Sequence, residues 1–270
     1  KKSDVVSFTG GTETGRLVAV EAAKNFKKCS LELGGKNPTV VFADANFDVA
    51  IKSSVKSAFL NQGQICLCGS RIFVEDSIYG QFKSAFLKET KTLTVGDPQN
   101  NKSRLGAIVS KHHLDSILFK IKQAVKDGAT ILCGGKRVRL PGRLSRGYFM
   151  EPTILLNTKH MDTINQEEVF GPVVTIMPFK NEKELIKMCN NVKYGLSASI
   201  FSQNISRANR IAAKIDAGVV WLNAWLIRDL RIPFGGMKAS GLGREGGHYS
   251  LDFFTETKNV CFKIEKDDNK

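Results

Sequence analysis

Short apolar runs alternate with stretches of helical periodicity along almost the whole chain, and few scaffolds accept that pattern. The runs "VVSF" (5–8), "TVVFADA" (39–45), "RIFVE" (71–75), "ATILC" (129–133), "SASIFS" (197–202) and "GVVWLN" (218–223) read as buried strands. "YFMEPTIL" (148–155) and "PVVTIMPF" (172–179) read as two further strands flanking a loop. Between them lie amphipathic stretches. One carries Leu17, Val20 and Ala23, another Ile51, Val55 and Phe59, and a third Leu114, Ile117, Leu118, Ile121 and Val125 before Gly128. Asn181 and Glu184 open a fourth with a capping-box pattern that stops near Gly195, and "ISRANRIAAKI" (205–215) is the fifth. Strands alternating with helices predict an α/β fold around a parallel sheet. The tail "EKDDNK" is expected to fray.

The chain has 270 residues, of which 42% are hydrophobic and 24% charged, which is enough for a buried core. No apolar run reaches the roughly 18 residues of a membrane helix, and "KKSDVVSFTGG" has no apolar signal core. A soluble, cytoplasmic protein with no membrane partner is expected. The six cysteines follow no framework spacing and are expected to be reduced. The net charge of +14 raises nucleic acid as a partner. The basic clusters "KRVRLPGRLSR" and "NFKKC" match no recognition module, and no nucleic-acid partner is expected.

"NQGQICLCGSR" (61–71) places Cys66 and Cys68 in the connection between a helix and the next strand, where a side chain can be held and still meet a ligand. The C-x-C spacing is too tight for the usual metal or dithiol pairs, and no metal is expected. An inert buried thiol and a nucleophile remain open. A nucleophile needs a tight turn and partial deprotonation, and Gly63 supplies the turn beside Cys66. "LELGGK" sets Glu32 in an apolar frame before two glycines. A carboxylate there should have a raised pKa and could serve as a general base, or it could cap the adjoining turn.

Five motifs in one order then show a resemblance. "FLNQGQICLCGSR" resembles the cysteine signature of the aldehyde dehydrogenase family, with Phe59, Gly63, Gln64 and Cys66 in phase, and "LELGGKNP" resembles its glutamate signature, 34 residues earlier. "FTGGTETG" is similar to its cofactor turn, "EEVFGPV" (167–173) to its ribose-binding strand, and "PFGGMKASGLGREGG" (233–247) to its C-terminal signature. "NAWLIRDLR", "NNVKYGL" and "SLDFFTE" resemble the branch that acts on 2-aminomuconic and 2-hydroxymuconic semialdehydes.

The resemblance implies a thiohemiacetal and then a thioester on Cys66, Glu32 as the base for hydrolysis, and NAD as cofactor. It implies Gly10, Gly11, Gly15, Leu33, Glu168 and Phe170 around that cofactor, with Gly10 and Gly15 giving its phosphates room. Gly11 stands where many relatives have Ser, and looser cofactor binding is expected from that. Arg228, and after it Arg231, would grip a substrate carboxylate, since a guanidinium fork makes two charge-assisted bonds to one; a surface pair of Arg228 with Asp229 is the structural alternative. Family members run close to twice this length. Residues 1–34 are therefore expected to be part of a cofactor domain, 35–236 the catalytic domain, and 237–270 a tail whose "NVCFKI" adds a strand at the interface of a homo-oligomer. A side-chain amide of the oxyanion hole and the residue choosing NAD over NADP would lie before Lys1. The alternative is an inactive fragment that only binds a full-length relative.

Overall fold

The computed structural model describes residues 3–264. The chain opens with β1 (Val5–Thr9), α1 (Thr12–Ala23) and β2 (Lys28–Glu32), then β3 (Pro38–Val41), α2 (Phe47–Phe59), β4 (Arg71–Glu75) and α3 (Tyr79–Thr90). Next come α4 (Lys111–Lys126), β5 (Thr130–Cys133), β6 (Arg137–Val138), β7 (Phe149–Met150), β8 (Thr153–Leu156), α5 (Thr163–Gln166) and β9 (Val173–Phe179). They are followed by α6 (Glu182–Asn190), β10 (Tyr194–Gly195), β11 (Ser197–Phe201), α7 (Ile205–Ala212) and β12 (Val219–Leu222). β13 (Met237–Lys238), β14 (Gly241–Leu242) and α8 (Gly247–Phe254) come last.

Seven strands form the main sheet in the order β12-β11-β3-β4-β9-β8-β5. Six run parallel, and β5 pairs antiparallel with β8 at one edge. Both faces are covered, so the central strands are buried at nearly every position rather than at alternate ones, Thr39, Arg71 and Thr175 included. Val41, Ile72 and Val74 point into a cluster with Ile51, Val55 and Phe59 of α2 and Phe82 and Phe86 of α3. Val40, Phe42 and Phe73 point the other way, onto Leu185 of α6 and Ala208 and Ile211 of α7. α4 lays Leu114, Ile117 and Ile121 against Leu155 and Val173. Each such fully buried side chain contributes about 1.5–3 kcal/mol.

The helices start where side chains can cap them. Asn46, Ser110, Asn181 and Asn204 each accept the N–H of the third residue on. Glu184 reaches one residue past the cap of the expected box, accepting the Lys180 N–H at 2.9 Å rather than that of Asn181.

A second, three-stranded sheet sits apart from the first, in the order β1-β2-β14. β1 and β2 are parallel, and β14 pairs antiparallel with the other edge of β2. Glu32 thus lies between Thr9 and Gly241, which places a carboxylate at the end of β2.

Several expectations need correction. β2 is a strand that its short polar start, "KCS", conceals. α3 was not expected, because "YGQFKSAFLKET" buries only Phe82, Phe86 and Thr90. Thr12–Gly15 are not a free turn: α1 begins at Thr12 and Gly15 donates its N–H to Gly11 O. "YFMEPTIL" is two strands, β7 and β8, broken at Glu151–Pro152, and "TVVFADA" leaves the sheet after Val41. Residues 167–172 are irregular loop, and β9 starts only at Val173. Within this single chain residues 256–264 form no strand, and the "EKDDNK" tail lies outside the described residues.

Candidate active site

Cys66 sits in the connection from α2 to β4. Asn61, Gln62 and Gly63 are all left-handed there, with φ of 51°, 57° and 68°. Such a run is unfavourable for Asn and Gln and persists only where the surroundings hold it. Those surroundings are visible. A Cβ at Gly63 would meet Gly171 O at 2.2 Å, so only glycine lets the loop close onto the 168–172 segment. Gln62 Oε1 accepts the Gly106 N–H at 3.0 Å, and Gln64 Oε1 accepts that of Val109 at 3.1 Å.

Asn37 holds the cysteine itself. Its Nδ2 donates to the carbonyls of Cys66 and Cys68 at 2.7 and 2.9 Å, and its Oδ1 accepts the Ser197 N–H at 3.0 Å. Trp225 Nε1 donates to Leu67 O at 2.9 Å. Sequence reasoning passed over Asn37, although it lies inside the quoted glutamate motif; its only signal was a polar residue before a strand of buried apolar ones.

One cavity of about 580 Å³ brings most of the expected residues together. Gly10, Gly11, Glu32, Leu33, Cys66, Glu168 and Phe170 all line it. Glu32 is only 6% exposed, and neither carboxylate oxygen has a hydrogen-bond partner among the described residues. Burial pushes its pKa up to about 7; Glu245 adds to the rise, while Arg244 and Arg228 oppose it. Cys68 does not line this cavity and is buried.

Cys66 departs from expectation in its protonation. Burial first, then the negative charges of Glu168 and Glu32, push its thiol up to about 11, against the lowering influence of its own N–H and of Arg228. In the free chain the sulfur is therefore a neutral thiol at neutral pH rather than a standing thiolate. Its backbone N–H donates to no carbonyl among the described residues, so it remains available to an oxyanion.

Glu168 is held by the backbone of the glutamate motif. Its Oε1 accepts the Gly35 N–H at 3.0 Å, and a Cβ at Gly34 would lie 2.4 Å from Oε2. Lys120 Nζ donates to the Glu168 carbonyl at 2.7 Å. Phe170 is 38% exposed with φ 54°, so it is no core aromatic; His113 Nε2 lies 2.6 Å from its carbonyl oxygen. A Cβ at Gly11 would meet nothing within 4 Å, whereas one at Gly15 would lie 2.4 Å from Leu33 Cδ2. Gly15 therefore does not line the cavity; it lets α1 pack tightly on β2 and fixes Leu33.

The two arginines separate. Arg231 makes a bidentate contact with Asp229, with Nε 2.9 and 3.1 Å from its two oxygens. Arg231 itself lines none of the described cavities, and its guanidinium is spent on Asp229. Arg228 has no hydrogen bond or ion pair among the described residues and lies with its guanidinium carbon 4.2 Å from the centre of the Phe234 ring. It borders a second hollow of about 290 Å³ with Phe234 and Glu245. Among the described residues no group of three His, Cys, Asp or Glu could hold a metal.

A half-buried thiol and a carboxyl titrating near neutrality, facing one cavity at the end of a small mixed sheet, suit covalent acyl chemistry on an α/β scaffold. The sequence pattern of the aldehyde dehydrogenase family matches residues 1–260, and the chain belongs to that family. It is 48% identical over 261 residues to human 2-aminomuconic semialdehyde dehydrogenase, covering 96% of this chain and 54% of that protein. It is 41% identical over 261 residues to 2-hydroxymuconic semialdehyde dehydrogenase of Pseudomonas sp. (strain CF600), covering 97% and 54%. A crystal structure of betaine aldehyde dehydrogenase from Staphylococcus aureus in complex with NAD+ superposes with a TM-score of 0.88 at 41% identity, over 92% of this chain and 49% of that one. The chain thus spans about half the length of the relatives it matches.

Proposed function

We propose that this chain carries the nucleophile and the hydrolytic base of an NAD-dependent dehydrogenase that oxidises a carboxylate-bearing, muconic-type semialdehyde to the acid. The observation that carries the reading is Cys66 and Glu32 on one cavity, with an unpaired Arg228 close enough to influence both. Gly10, Gly11, Leu33, Glu168 and Phe170 fit the cofactor: Gly11 opens onto free space, and Glu168 Oε2 has no hydrogen bond among the described residues. Bound NAD supplies the hydride acceptor.

Reaction begins with loss of the Cys66 proton, and Glu32, near its midpoint at neutral pH, is the base positioned to receive it. The sulfur attacks the aldehyde carbon and the carbonyl oxygen takes the charge, held by the Cys66 N–H. Hydride departure leaves a thioester on Cys66. Glu32, having passed that first proton to solvent, then removes one from water, whose oxygen attacks the thioester; the acid leaves and the departing sulfur takes the proton back from Glu32 as a thiol. Arg228 anchors the far carboxylate and sets the aldehyde's distance from sulfur.

The test is turnover of NAD with a muconic-type semialdehyde, for this chain alone and with the preceding half of a full-length relative supplied. Turnover in the joined protein should vanish in Cys66→Ser. In Glu32→Gln it should fall steeply, and any acyl adduct that does form on Cys66 should persist, seen by intact mass. Full turnover in Cys66→Ser would end the proposal.

A further inference from the structure

Resting on the carboxylate reading of Arg228, we propose that Phe234 is a positioning residue. Its ring seats the guanidinium of Arg228 with the hydrogen-bonding edge free, and so gives the hollow that both residues border, next to the Cys66–Glu32 cavity, its preference for carboxylates.

The two residues stand on very different supports. Phe234 is anchored by a two-residue antiparallel bridge, donating its N–H to Glu245 O at 2.8 Å and accepting that of Glu245 at 2.7 Å. The next residue, Gly235, lies against the catalytic carboxylate: a Cβ there would be 3.0 Å from Glu32 Oε1. The ring packs in the same apolar cluster as Leu67, Trp225 and the half-buried Cys66. Phe234 is thus fixed relative to both reacting side chains. Arg228 sits on the irregular segment between β12 and β13, whose Ile227, Leu230 and Ile232 are all exposed. The Ile227 carbonyl, held by Trp221 Nε1 at 2.8 Å, is its nearest backbone tether.

A long side chain on such a segment would ordinarily sample many rotamers and pay for ordering when a ligand arrives. An acidic partner would also order it, but would consume the N–H groups that a substrate needs. Asp229, the acid beside it, is engaged by Arg231 instead. An aromatic face orders a guanidinium through its quadrupole and leaves every N–H at the rim unspent. The 4.2 Å separation from the ring centre is well inside the range of that attraction.

The experiment needs neither cofactor nor turnover. Cys66 is alkylated with iodoacetate or iodoacetamide: the sulfur forms the S–C bond, iodide leaves and the thiol proton passes to solvent. Rates are read by mass mapping of Cys66, and the iodoacetate-to-iodoacetamide ratio is normalised to free cysteine. The ratio cancels changes in thiol ionisation, which act on both reagents alike. Arg228→Gln should lower it about fivefold or more, and Phe234→Leu about threefold or more, while Phe234→Tyr, which keeps the face, should stay within about twofold of the parent. A loss in Arg228→Gln with none in Phe234→Leu overturns the role of Phe234 and leaves the carboxylate reading standing. An unchanged ratio in Arg228→Gln overturns that reading, and this inference with it. Equal slowing of both reagents in Phe234→Leu, or an equal drop of the ratio in the Leu and Tyr variants, makes the ring mere packing and overturns the proposal.

Discussion

Glu32 illustrates a residue kept where the fold would rather not have it. Its carboxyl has no hydrogen bond among the described residues, and burial lifts its pKa to about 7 from the ordinary 4.5. The folded chain therefore holds a proton that the unfolded chain has already lost between about pH 4.5 and 7, so this group's effect is to lower stability as pH rises through that window. Glu32→Gln should be more stable than the parent at pH 8, by on the order of 2–3 kcal/mol, with the gain fading toward pH 4. Urea melts at the two pH values check this; equal differences at both would show that the carboxyl is not perturbed. Cys66 makes a second case. With its thiol near 11, alkylation by iodoacetamide in the free chain should climb tenfold per pH unit from 7 to 10 without a plateau. A plateau near pH 7 would mean a thiolate stabilised by contacts absent here. Both groups were legible in the sequence as chemistry, because their motifs are local. The protonation of Cys66 was not, since the two carboxylates that oppose its ionisation come from 34 residues upstream and 102 residues downstream.

At the scale of elements, the cysteine loop is held from outside. Its left-handed run at Asn61–Gly63 is not favoured by its own sequence, and Asn37 ties it to β11 through three hydrogen bonds. Asn37→Ala should cost about 2–4 kcal/mol, because it leaves buried carbonyls without donors. It should also blunt the selective reaction of Cys66 over surface Cys261. Denaturant melts and mass mapping would read the two effects, and a loss below about 0.5 kcal/mol would show that water replaces the amide. Arg71 does the same for a neighbouring junction: fully buried, it donates to the carbonyls of Lys36, Met188 and Cys189 at 2.9, 2.8 and 3.0 Å. α2, α4, α6 and α7 were readable because their apolar spacing and caps lie within one window. α3 and β2 were not, since each shows too few apolar positions to outweigh its polar residues.

For the whole molecule, the two sheets carry very different support. The seven-stranded sheet is packed on both faces, and Ile72, Phe73 and Val74 of β4 are fully buried. β1 is half exposed along its length, and α1 leaves Leu17 and Val20 largely open. Amide hydrogen exchange in β1 should run about tenfold or more faster than in β4, by local opening rather than global unfolding. Equal rates would mean that the small sheet unfolds only with the large one. Glu32 belongs to that small sheet and Cys66 to the loop leading into the large one, so ordering of β1-β2-β14 bears directly on whether the two side chains meet.

The sequence by itself determined the alternation of strand and helix, the candidate nucleophile and base, and the family, because each is written in residues within a few positions of one another. Tertiary structure alone decided which arginine is free and which is spent on Asp229, that Gly15 serves packing, and that the thiol is neutral. It also clamped Glu32 between Thr9 and Gly241, more than 200 residues apart. The reason is one of range: periodicity and turn chemistry act along the chain, whereas burial, charge and hydrogen-bond partnership act through space.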